Sequence, residues 1–165
     1  MGLRDILGVL DDGDEAVLWK TFDRAVRVAD VGRARLTLVK SIDRGWLMHW
    51  FLSAALEGTA VSMPYLDFET IAAHELARVA DFVPSSIPLT TSLLGWRTGP
   101  ALCDLIRTGR FDAFVATDRL LARNGRVVRE LSRFGVQTVT VSSRPELSLS
   151  PPDRPAPAIH HEVGA

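Results

Sequence analysis

The sequence predicts an α/β fold, a doubly wound parallel sheet of five strands with helices on both faces. Two observations carry this. Short apolar runs closed by turn residues alternate with longer stretches whose apolar residues recur every three or four positions. In addition, the stretch Arg110 to Val141 reads as strand, polar loop, helix and strand. That is the crossover unit from which parallel sheets are built.

In order, Ile6 to Leu10 is an apolar run that stops at Asp11-Asp12-Gly13-Asp14, as expected of a strand buried on both faces. Ala16 to Asp30 is a helix, with Leu18, Phe22, Ala25 and Ala29 on one face and Gly32 as its expected C-terminal cap. Leu36 to Val39 is the second strand. A short helix is expected over Trp46 to Glu57, and a long one over Phe68 to Val83, capped by Asp67 and followed by Pro84. Pro88 to Gly95 gives the third strand. Gly99-Pro100 opens a helix that Gly109 ends, since proline is well placed in a first turn. Phe111 to Ala116, a polar loop from Thr117 to Asn124, a helix from Gly125 to Phe134 and a strand from Gln137 to Val141 complete the alternation.

The chain has 165 residues, 47% hydrophobic and 24% charged, with a net charge of -1. These values describe one globular domain, residues 1–143. The proline-rich stretch 144–165 reads as a disordered tail. Near-zero net charge gives no electrostatic case for nucleic acid or an anionic membrane surface. The single cysteine, Cys103, excludes an internal disulfide and suits a reducing cytoplasm; it is expected in the core. The apolar segment 46–66 contains His49, Glu57, Gly58 and Pro64, which argues against a membrane span and leaves a protein or membrane contact surface as an alternative use.

His49, His74, His160 and His161 have no metal-ligand spacing. Neither a nucleophile elbow nor a spaced carboxylate pair is present, so no catalytic activity is expected. Trp19, Trp46, Trp50 and Trp96 are read as packing residues. In a parallel sheet, ligands sit beyond the carboxyl ends of the strands, which directs attention to Thr117 to Arg126. Arg119, Arg123 and Arg126 cluster there around a helix start. They could clamp an anion or form an exposed polar loop, with Arg126 and Glu130 as a helix-surface pair.

Three stretches resemble the universal stress protein family in its single-domain form: Ile6 to Ala16, with its strand and acidic turn; Gly95 to Ile106, with its glycine–proline helix entry; and Phe111 to Thr117. Gly125 to Leu131 then tracks the family's helix start, and the resemblance covers about residues 4 to 142. It implies a sheet of order 3-2-1-4-5. Many members of the family bind ATP through a loop of the form glycine, two residues, glycine, nine residues, glycine and serine or threonine. Here those positions hold Ala116, Arg119 and Gly125-Arg126, and the loop is four residues short. The departures imply that ATP is not bound in the family manner, so no cofactor is expected; an altered ATP or AMP site is the alternative. Asp11 or Asp12 corresponds to the family aspartate near adenine and ribose, and Val39 to the residue near the base. Together, Asp12, Val39, Ala116, Thr117, Arg119, Gly125 and Arg126 are the candidate nucleotide positions. The resemblance further implies a cytoplasmic stress-response protein that dimerises through its last strand, at Val139, Thr140 and Val141.

Overall fold

The structure, a computed structural model, describes residues 2–11, 14–42, 68–95 and 97–144. Asp12, the helix expected over 46–57, the apolar segment 46–66, Trp96 and the tail with His160 and His161 lie outside the described residues. The strands are β1 (Asp5–Leu10), β2 (Arg35–Ser41), β3 (Leu89–Leu94), β4 (Ala113–Thr117) and β5 (Gln137–Val141). The helices among the described residues are α1 (Glu15–Gly32), α2 (Phe68–Ala80), α3 (Thr98–Gly109), α4 (Asp118–Arg123) and α5 (Gly125–Arg133). All strand pairs are parallel, in the order β3-β2-β1-β4-β5. The chain reverses its direction of travel across the sheet between β1 and β4, which makes the ends of those strands the topological switch point.

The period-two geometry of a strand explains the two cores. On one face, Ile6 and Leu10 pack with Leu36 and Leu38 against Leu18, Phe22 and Ala25 of α1 and Leu76 and Val79 of α2. On the other, Leu7, Val9, Val39 and Phe114 pack against Leu102 and Ile106 of α3 and Val127 and Leu131 of α5. Lys40, almost fully buried at the end of β2, is paired with Glu75 of α2 at 3.2 Å. Trp19 packs edge-on against Phe22 and Phe82, as its reading as a packing residue requires.

Asp14 caps α1 by accepting from the Ala16 amide at 3.0 Å. The two expected glycine caps are displaced by one residue. Gly32 and Gly109 are the last residues of their helices, and Arg33 and Arg110 take the left-handed conformation, each with φ of 50°. The glycines serve close approach instead. A Cβ on Gly32 would lie 3.1 Å from Leu3 Cβ, and one on Gly109 would run into the Phe111 ring.

The stretch expected to be a polar loop from Thr117 to Asn124 is largely the helix α4. β4 runs directly into it. The Thr117 hydroxyl caps the helix by accepting from the Leu120 amide at 3.1 Å, and Asp118 occupies its first turn. The other closing end, Asn124, donates its side-chain amide to Leu120 O at 2.8 Å. At the sheet's far edge, β5 pairs with β4 alone among the described residues. Its side chains are not equivalent: Val141 is buried against the α1 core, Val139 is half-buried and Thr140 is exposed.

Candidate functional site

The candidate site is a pocket of about 390 Å³ at the carboxyl ends of the central strands. Each element contributes by ending there. Asp11 follows β1, Ser41 closes β2, and Arg97, Thr98 and Gly99 enter α3. Leu120, Arg123 and Asn124 come from α4 and its end. Gly99 lets α3 come close to the α4–α5 junction: a Cβ there would lie 2.8 Å from Asn124 Oδ1, and that side chain would have to turn aside.

Asp11 organises the floor. Its Oδ1 accepts from Ser41 Oγ at 3.3 Å, and its Oδ2 accepts from Thr117 Oγ1 at 3.4 Å. One carboxylate therefore gathers the ends of β1, β2 and β4. Of the two aspartates left open by the sequence, Asp11 is at the switch point, and Asp12 lies outside the described residues. Thr117 uses its single hydroxyl twice, donating to Asp11 and accepting from Leu120 N.

Two amides in the first turn of α4, those of Arg119 and Leu120, already have side-chain acceptors. Asp118 Oδ1 accepts from the Arg119 amide at 2.7 Å and from the Ser143 amide at 2.9 Å. These hydrogen bonds, those from Ser143 foremost, hold the Asp118 carboxyl below its ordinary value. Amides that could cradle an anion at this helix start thus carry intramolecular oxygens, and a carboxylate sits among them.

The remaining candidate residues separate. Val39 and Ala116 are fully buried in the core beneath α3 and do not line the pocket. Arg119 is exposed and is not among the pocket's lining residues. Gly125 is exposed, and Arg126 lines a different groove, between α3 and α5. Arg123, by contrast, does reach the pocket. Ser41, Arg97, Thr98 and Asn124 were not anticipated as lining residues. The Asn124-Gly125 pair offered a signal for the last of these, as a junction between two helices.

Glu130 does not form the expected surface pair with Arg126. It is largely buried and pairs with Arg107 of α3 through two hydrogen bonds, Nη2 to Oε1 at 2.7 Å and Nε to Oε2 at 3.2 Å. That fork holds the Glu130 carboxyl below its ordinary value and raises the Arg107 guanidinium. A group with a lowered folded pKa stabilises the protein above its unfolded pKa, and the contribution is lost as pH falls through the folded value. Acidification below about pH 4.3, the ordinary glutamate value, should therefore destabilise the protein, and Glu130→Gln should flatten the profile. Urea midpoints measured between neutral and acid pH test this; parallel profiles for the two proteins would refute it.

Cys103 lies in the core as expected, and burial pushes its thiol above its ordinary value, so it is a poor nucleophile. Among the described residues no cluster of histidine, cysteine or carboxylates could hold a metal ion. Among them, too, no helix is long and apolar enough to cross a membrane.

No protein-family model matches the chain, and no curated protein matches its sequence. Solved structures do match. A universal stress protein family member from Burkholderia pseudomallei is similar with a TM-score of 0.53 at 14% identity, over 84% of this chain and 96% of that one. UspA from Lactobacillus plantarum gives 0.52 at 16% identity, over 86% and 99%. A universal stress protein family protein from Arabidopsis thaliana, solved with AMP bound, gives 0.52 at 9% identity, over 91% and 97%. The five-stranded sheet and its strand order are thus those of the universal stress protein fold.

Proposed function

We propose that this chain is a universal stress-type protein of the cytoplasm that acts in stress response without catalysis, as a homodimer, and that it does not take ATP in the family manner. The observation that carries the last point is the start of α4. Thr117 and Asp118 take up its Leu120 and Arg119 amides, where a phosphate loop would leave amides open, and Asp118 adds a negative charge. The homodimer reading rests on β5. Its outer edge has no strand partner among the described residues, and an unpaired edge is a template for pairing with a second copy. With Val141 turned into the core, the contact is made by the backbone and by Thr140 rather than by an apolar strip.

A second reading is favoured by one observation. The pocket keeps Asp11 as an acceptor for hydroxyl groups, with Arg97 and Arg123 at its wall, and the similar Arabidopsis protein carries AMP. A nucleoside monophosphate, lacking the extended phosphate chain, is the ligand this would accommodate.

Calorimetric titration of ATP, ADP and AMP into the chain and into Asp11→Asn tests both readings. The expected result is no heat from ATP that depends on Asp11. ATP heat lost in Asp11→Asn overturns the proposal, and Asp11-dependent heat from AMP alone establishes the second reading. Light scattering on the same samples, at tens of micromolar, in the range of weak interfaces, should give a dimer mass; a monomer mass refutes pairing through β5.

A further inference from the structure

We infer that the groove between α3 and α5 is an anion site in its own right, separate from the pocket at the strand ends, and that it takes a compact ligand carrying two or more phosphoryl groups. The groove is about 370 Å³ and is lined by Arg107, Arg126, Arg129, Glu130 and Arg133. Its one carboxylate is already committed, because both Glu130 oxygens accept from Arg107. Among the described residues, no ion pair engages Arg126, Arg129 or Arg133. Arg133 lies against a ring, its guanidinium 5.7 Å from the centroid of Phe134.

That arrangement is unfavourable in an empty groove. Arg126 and Arg129 are three residues apart and Arg129 and Arg133 four, so like charges face each other along one side of α5. Arg126 also sits in the first turn, where the helix dipole opposes a cation. Glu130 accepts its hydrogen bonds from Arg107 of α3, so it attracts Arg129 and Arg133 only through space and pairs with neither. An anion in the groove relieves all three strains at once. Guanidinium forks match phosphoryl oxygens two at a time.

Size and charge choose the occupant. The stripe from Arg126 to Arg133 spans about 10 Å of helix, longer than a single phosphate can bridge. The groove has the volume of a small-molecule site. With a net charge of -1, the chain has no long-range field to hold a polynucleotide.

The test is calorimetric titration of tripolyphosphate and of inorganic phosphate into the full chain, at ionic strength held constant with sodium chloride. Tripolyphosphate should bind saturably and roughly tenfold or more tighter than phosphate. Arg129→Gln/Arg133→Gln changes two exposed side chains, and its thermal unfolding should confirm that it folds. It should weaken tripolyphosphate by roughly tenfold or more. Arg27→Gln, on the exposed side of α1 across the sheet, should leave binding unchanged. Absence of saturable heat overturns the site, as does equal binding by the double variant or an equal loss in Arg27→Gln. Stronger binding by a hexaglutamate peptide overturns the phosphoryl class. ATP heat that is lost in Arg129→Gln/Arg133→Gln but kept in Asp11→Asn reports this groove, so the two sites fail or succeed separately.

Discussion

Phe114→Ala should cost about 3–5 kcal/mol of folding stability. Phe114 is fully buried in β4, one strand in from the β5 edge, and it packs in the core that α3 and α5 share with Leu7, Val9 and Val39. Removing its ring withdraws apolar area from the core and leaves a void that two rigid helices can close only in part. Domains of this size carry a total stability of about 5–15 kcal/mol, so the variant should be marginal. In urea the midpoint should fall sharply while the dependence on denaturant stays the same. A loss below about 1 kcal/mol would mean that the site collapses around the smaller side chain.

Gly8→Val should be as damaging by the opposite route. Gly8 is in the middle of β1, on the sheet face that α1 covers. A Cβ there would lie 2.9 Å from Leu38 Cδ2 and 3.0 Å from Ala25 Cβ. The leucine end can turn away, but Ala25 belongs to the helix and cannot move without it. Gly8→Ala should therefore cost about 1–3 kcal/mol, and Gly8→Val, with two further methyl groups between strand and helix, about 3 kcal/mol or more. Leu38→Val should recover part of the loss in the Gly8→Ala background. Failure to do so would place the clash with α1 alone.

These two positions also show what the sequence made legible. Phe114 and Gly8 sit in short apolar runs closed by turns, and such runs, alternating with helical periodicity, were enough to place the strands and the helices that cover them. The strand order came from the resemblance of whole stretches, since periodicity alone does not order a sheet. The α4 helix was missed because its six residues complete too little of a periodic pattern. Its signal was instead the Thr117-Asp118 start, a capping residue followed by an acid. The partner of Glu130 was missed for a different reason. Sequence offers Arg126 at the right helical spacing, whereas the actual partner, Arg107, is 23 positions away on another helix. Likewise, the sequence left Asp11 and Asp12 as alternatives and put Asp12 among the candidate positions, and Asp12 lies outside the described residues; Ser41, Arg97 and Asn124 join Asp11 around the pocket only once the sheet is assembled.

The bond from the Ser143 amide to Asp118 gives the fold a mechanical link between the end of its edge strand and the start of α4. Ser143 lies two residues past the end of β5, and Asp118 begins the helix that walls the strand-end pocket. A force that shifts α4 outward is carried to the exit of the last strand, and a shift of that exit is carried back to α4. One carboxylate thus ties the exit of the last strand to the start of α4, so that neither end shifts without the other.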